Sequence, residues 1–416
     1  MSDTDFAPTP ARRHAHDGVL VVGAGPVGLC TALGLARRGV PVTVVEREVD
    51  VYRAPRAMGY HFSALYGLDD LGLLDEMLER GFPVQGVGMT VRSTGEQLRF
   101  STEPLEGRVA HPFSLTLGQD VFAEVVVKHL LEHDHAEILW HTAVTDVRQD
   151  AERVHATLDS GEVVSAHYLV ASDGGTSRIR TALGLGWVGI TWPHNFLATN
   201  VRYDFTRMGL LDNNYYIDPV YGAVIARVTK DGLWRATFAE DAALPEEGVE
   251  ERIVDWLTGL IGDRSEFELV NFSRYRMHQR AAGSMRAGRV VLAGDSAHAT
   301  NPTSGFGLVG GLYDSYVLSE ALAAILDGEV ADDVLDTYSD DRLTAFWTVS
   351  SPISTESKRL VFHSDDPDRL EIDLQQMRRV TSRSDLLRGF WLSGARCETP
   401  SVVTGRYQSA GRNTPG

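Results

Sequence analysis

VLVVGAGPVGLCTALGLARRGVPVTVVE, residues 19–46, decides the fold. It opens on an apolar, mostly β-branched run, the composition of a buried strand, and meets Gly23, Gly25 and Gly28 at G-x-G-x-x-G spacing. From about Pro26 a nearly uncharged run carries a helix to Arg38, and residues 41–46 make a second strand. Proline suits the helix start, where its missing N–H has no helical partner to lose. This strand-turn-helix-strand unit predicts an α/β fold with a Rossmann-like domain. The glycine turn, with Pro26 and Val27 inside it, brings backbone and helix N-terminus close to a pyrophosphate. Glu46, eighteen positions after Gly28, ends the second strand where it can accept ribose hydroxyls. Arg47 beside it would suit a 2′-phosphate, but an acid at the ribose position repels one, so FAD or NAD is favoured over NADP here. Arg12 and Arg13 before the uncharged residues 19–36 outline a signal segment, yet the glycines, Pro26 and the following strand fit the nucleotide unit better.

GRVVLAGDSAHATNPTSGFGLVGG, residues 288–311, supplies the second half of the site. Residues 289–293 form another buried strand, ending at Gly294-Asp295 with an acid poised for a ligand. Pro302, Gly305, Gly307, Leu308, Gly310 and Gly311 then lead into LYDSYVLSEALAAIL, read as a helix. Glycines ahead of a helix let amides approach a ligand, and the helix end adds partial positive charge. Alone this could be a turn; paired with residues 19–46 it reads as the flavin half of one cradle.

Composition narrows the partners. At 416 residues and 43% hydrophobic side chains, two or three domains with sizeable cores are expected. The net charge of −18, from 39 basic and 57 acidic residues with no compact basic run, disfavours nucleic acid and membrane surfaces. Two cysteines, Cys30 and Cys397, are too few for a disulfide framework, so a cytoplasmic location is expected. No metal is expected: His14/His16 and His129/His133/His135 have usable spacings but read as solvated surface. Ser296 and His298 lack a G-x-S-x-G elbow and read as packing beside a cofactor.

Along the chain, residues 1–17 look like a polar leader, and helices are predicted over 62–80 and 120–132, with strands near 136–140 and 168–171. From 184 to 286 the texture turns β-rich, with one helix at 247–261. We therefore expect a discontinuous nucleotide-binding domain, residues 18–183 and 287–345, interrupted by a sheet-rich substrate domain at 184–286. A C-terminal helical segment and loose tail would fill 346–416.

Residues 19–46, YLVASDGGTSRIR at 168–180, and GRVVLAGDSAHATNP at 288–302 together resemble the three fingerprints of flavin-dependent aromatic hydroxylases of the para-hydroxybenzoate hydroxylase fold. The resemblance spans roughly residues 18–345. It implies FAD, with Gly23, Gly25, Pro26, Val27, Gly28, Glu46 and Arg47 around the ADP half. Arg56 of Pro-Arg-Ala and Gln119 would serve the ribityl and pyrophosphate region, Gly294 and Asp295 the ribityl chain, and Pro302 to Leu308, including Gly305 and Gly307, the isoalloxazine. Asp173 and Arg180 would serve indirectly. Departures are Val309-Gly310 after Leu308, where many members have Asn, and Ser63, where many have Arg. Gly-Ile-Thr-Trp-Pro at 189–193 is similar to para-nitrophenol monooxygenase-like members.

The implied activity is a monooxygenase that uses NAD(P)H and O2 to hydroxylate a small phenolic or related aromatic through a flavin C4a-hydroperoxide. A reductase or dehydrogenase on the same fold is the alternative. Ester or epoxide products, NADH against NADPH, and monomer against homodimer stay open. His61, which follows Arg56 closely, and Tyr216 are the candidate proton-relay or substrate contacts. Tyr215 and Tyr216 must face opposite sides of their strand, and Tyr60, Tyr221 and Arg227 are further candidates.

Overall fold

The computed structural model describes residues 17–405, so the expected leader (but for residue 17), the His14/His16 pair and the tail past 405 lie outside the described residues. The strand Val19–Val22 lies at the centre of a six-stranded sheet, flanked in parallel by Val42–Val45 and Tyr168–Ala171. Ala136–Leu139 and Val290–Leu292 extend it in parallel, and Arg286–Ala287 adds a short antiparallel edge. Central strands of such a sheet are covered on both faces, which is why they are continuously apolar. Helix Pro26–Ala36 packs against both Gln119–Leu130 and Phe306–Leu326. A three-stranded meander, residues 144–166, forms a separate small sheet.

An eight-stranded sheet makes the second layer system, in the spatial order His298–Ala299, Glu268–Ala281, Val188–Arg202, Leu233–Asp241, Ala223–Arg227, Asn213–Ile217, Gly86–Val91, Glu96–Ser101. Three of its strands come from outside residues 184–286, His298–Ala299 at one edge and a hairpin at the other. The hairpin Gly86–Val91/Glu96–Ser101 joins through parallel pairing of Tyr215 with Met89, so the N-terminal boundary drawn from sequence texture is corrected. Texture could not show this, because a short hairpin reads alike in either sheet.

Other elements differ in extent. The helix expected over 62–80 is two, Phe62–Asp70 and Leu74–Arg80, because Gly72 at φ +71° turns the chain between them. The boundary at 345 falls inside a continuous helical run: Val334–Ala345 passes through one wide turn, Phe346–Ser350, into Ser351–Phe362. Helices Pro367–Thr381 and Ser384–Ala395 follow. No helix among the described residues is long and apolar enough to cross a membrane.

Candidate functional site

The glycine turn is fixed by close approach. Gly23 holds φ +107°, and a Cβ there would lie 2.4 Å from the Ser172 carbonyl oxygen; one on Gly28 would lie 2.0 Å from that of Gly23. Gly25 differs, since its Cβ direction meets nothing within 4 Å and the position faces open space. The Glu46 carboxylate accepts the Ala24 N–H at 2.6 Å and the Glu48 N–H at 3.0 Å, which leaves lone pairs for ribose hydroxyls. Arg47 lines the cavity rim but is exposed, 3.4 Å from Glu48.

The second and third fingerprints are bolted together. Arg180 donates to the Ser296 carbonyl at 2.8 Å and to that of Gly175 at 2.9 Å, and stacks 3.7 Å above the Trp187 ring. Asp173 caps the short helix Arg178–Ala182, accepting from the N–H of Arg178 at 3.0 Å. Ser296 donates to the Ala171 carbonyl oxygen, while His298 lies 2.8 Å from Asp314. Asp314 also accepts the Gly294 N–H at 2.8 Å and Arg342 at 2.6 Å. Arg342 goes on to the carbonyls of Gly310 at 2.9 Å and Cys397 at 2.7 Å. Burial would raise the Asp314 carboxyl, but His298 and Arg342 outweigh it and hold it below the usual range. Sequence reasoning missed this network; Asp314, one of only two charged residues in an otherwise apolar helix, was the signal.

Three observations fit FAD. Asp295 projects into the cavity with no hydrogen-bond or ion-pair partner among the described residues, and burial raises its carboxyl above the usual range. Helix Phe306–Leu326 starts six residues earlier than expected, so Gly307, Gly310 and Gly311 are its first turns. Its N-terminus has no side-chain cap, and residues 305–309 line the cavity, leaving the amide N–H groups of 306–308 free for an acceptor. The third is the open face of Gly25 across the same cavity. Pro26, Val27, Arg56, Gln119, Asp173, Pro302, Gly305, Gly307 and Leu308 line it too.

That cavity measures about 1050 Å³ and continues past the glycine turn to a pocket between the large sheet and the C-terminal helices. The sheet face presents Phe196, Ala198, Tyr215, Val224 and Thr237; the helices present Leu360, Phe390 and Trp391. Tyr216 is the exception among the candidates. It lies on the opposite face, packed with Trp234, Phe238 and Leu257, and Tyr215 occupies the cavity instead. Alternation allows only one of the two inside, and because the large sheet is covered on both faces either could be, so the expected Tyr216 is corrected to Tyr215. Tyr221 and Arg227 also lie elsewhere, Tyr221 against Trp256 and Arg227 reaching the Lys230 carbonyl. Tyr60 lines the cavity edge but packs on Phe122 at 5.2 Å.

His61 does line the pocket, as the N-cap of helix Phe62–Asp70. Sequence reasoning missed two cavity groups on the sheet, Arg235 and Tyr275, and considered Tyr215 only as the neighbour of Tyr216. Arg235 is buried, donates to Asn200 at 2.9 Å and to the Arg56 carbonyl, and is lowered by burial to about 10. Burial pushes Tyr215 and Tyr275 up to about 12, so both phenols are donors. No group of three or more His, Cys, Asp or Glu that could hold a metal ion occurs among the described residues.

Comparison with known proteins bears on the same residues. A family model described as FAD binding domain matches residues 17–351. The chain is similar to 6-hydroxy-3-succinoylpyridine 3-monooxygenase of Pseudomonas putida, 37% identical over 89% of this chain and 95% of that protein. It is 36% identical to para-nitrophenol 4-monooxygenase of a Pseudomonas species, over 95% and 99% of the two chains. Among solved structures, p-nitrophenol 4-monooxygenase from Pseudomonas putida superposes with a TM-score of 0.88 at 35% identity, covering 92% of this chain and 98% of that one. Aklavinone-11 hydroxylase in complex with FAD and aklavinone superposes at 0.75 with 27% identity, covering 86% and 71%.

Proposed function

Because the chain belongs to the FAD-binding-domain family of flavin-dependent aromatic hydroxylases, we propose that it inserts one oxygen atom of O2 into a small phenolic ring, with NAD(P)H as electron donor. The observation that carries this reading is the single cavity joining the glycine turn and Asp295 to an apolar pocket under the C-terminal helices. Its volume of about 1050 Å³ exceeds what one small ligand needs and suits a dinucleotide cofactor with a ring beside it.

Bound FAD would supply the electron transfer and the oxygen chemistry. The protein supplies position, dryness and electrostatics. Glu46 would hold the ribose, Asp295 would accept from the ribityl hydroxyls, and the free amides at 306–308 would stabilise negative charge on the reduced ring. Leu360, Phe390 and Trp391 keep water out of the substrate pocket. The chain has one glycine-rich nucleotide turn, so the nicotinamide visits instead of residing. Arg276, exposed on the cavity wall with His278 two residues on, gives its pyrophosphate a cationic contact. The two buried thiols, Cys30 and Cys397, suit the reducing cytoplasm.

The test is a panel of phenols scored for NAD(P)H oxidation and for oxygenated product, with and without oxygen. Product that forms without oxygen sinks the reading, and so does the absence of any oxygenated product across the panel.

A further inference from the structure

His61 is held in one protonation state by its place in the chain. As the residue before helix Phe62–Asp70, it turns its ring back so that Nδ1 accepts the Ser63 N–H at 3.4 Å and lies 2.8 Å from the Ser63 hydroxyl. A backbone N–H can only donate, so Nδ1 carries its lone pair, and in a neutral imidazole the proton must then sit on Nε2. The imidazole is neutral because burial lowers it to about 3, with no charged neighbour contributing. Its surroundings explain this: the rings of Phe62, Trp391 and Phe306 lie at 4.4, 5.8 and 5.9 Å.

The Nε2 edge is the free one. It has no hydrogen-bond partner among the described residues, and it comes within 3.5 Å of where a side chain on Gly394 would begin. Gly394 has none, and both residues line the cavity, so the N–H opens into the pocket. We propose that His61 is a permanent hydrogen-bond donor to the phenolic oxygen of the substrate, binding it as phenolate, and is not the proton-accepting relay its position first suggests. The proposal rests on the phenol hydroxylase reading above and names how that site recognises its substrate. The phenol proton leaves to water, while Nε2 keeps its own. An ionised ring is the more electron-rich partner for oxygen insertion, so the same hydrogen bond that binds also activates.

The test uses the FAD-loaded protein and 4-nitrophenol, whose phenolate is coloured, so that ionisation of the bound molecule is read directly against pH. The native protein should ionise the bound phenol at lower pH than water does. His61→Asn keeps a good N-cap, but its short amide cannot place a donor where Nε2 lies; the ionisation constant of the bound phenol should fall roughly ten- to hundredfold, the weight of a hydrogen bond to a charged group. His61→Gln, whose longer amide can still donate, should recover part of the shift. FAD content and melting temperature check that each variant is folded. An unchanged ionisation constant in a folded His61→Asn, or a native protein that leaves the bound phenol ionising as in water, overturns the proposal while leaving the hydroxylase reading intact. If no phenol in the panel binds at all, the functional reading falls and this inference with it.

Discussion

Asp314 shows how much one residue can hold. It is fully buried and joins Gly294, His298 and Arg342, hence the turn presenting Asp295, to the segment at Cys397 and Thr399. Asp314→Ala would leave Arg342 buried and unpaired, and we expect a loss of about 3–5 kcal/mol, seen as a lower melting temperature. Asp295→Asn should act differently: stability without flavin stays as it was, and flavin retention through gel filtration falls; Glu46→Ala should also lose flavin, with a lower melting temperature because the Ala24 and Glu48 N–H groups lose their acceptor. Unchanged flavin occupancy in both would show the cofactor misplaced. Lys358 gives a pH effect. It is 1% exposed, 2.6 Å from His363 and 4.5 Å from the Trp192 ring, and burial lowers it to about 8 from 10.5. A lysine lowered in the fold opposes folding while protonated, since the unfolded chain then binds the extra proton. Stability should therefore rise with pH between about 8 and 10.5, the cost being full below that window. Lys358→Met should raise the melting temperature at pH 7 and flatten that rise; a drop in melting temperature would show that the amine is better satisfied than its neighbours suggest.

Helix Ser384–Ala395 makes the case for elements. A Cβ on Gly394 would lie 2.8 Å from Phe306 and 3.5 Å from His61, so this helix closes the substrate pocket by lacking a side chain. Gly394→Val should raise KM for the aromatic substrate several-fold and leave FAD content unchanged; a variant with native KM would place the substrate elsewhere. Nothing in the sequence marks this helix as part of the site, because Phe390-Trp391 reads as ordinary amphipathic packing. The opposite holds for helix Phe306–Leu326, whose place at the cavity was legible from its glycines although its start was not. Glycines look like loop until tertiary packing on Val27 and Gly294 uses them inside a helix. Tyr215 and Tyr216 mark a third kind of limit: the period of two was readable, the face was not.

At the scale of the molecule, the nucleotide domain and its interruption were legible because the parallel strands are short, apolar and tied to fingerprints. The pairing of the hairpin at 86–101 and the docking of the C-terminal helices on it were not, because Met89 meets Tyr215 and Trp391 meets the Ser101 carbonyl across more than a hundred residues, with no local trace. Arg342 nevertheless reaches the carbonyl of Cys397 and the hydroxyl of Thr399. A chain ending at residue 395 should therefore melt lower and release FAD faster than the full chain, while retaining the six-stranded sheet by circular dichroism. There is a consequence for biosynthesis. Val19–Val22 emerges first, yet its sheet is complete only when Val290–Leu292 arrives, and the cradle's final anchor comes with Cys397. A ribosome thus makes nearly all of this protein before the residues that frame the cavity are all present.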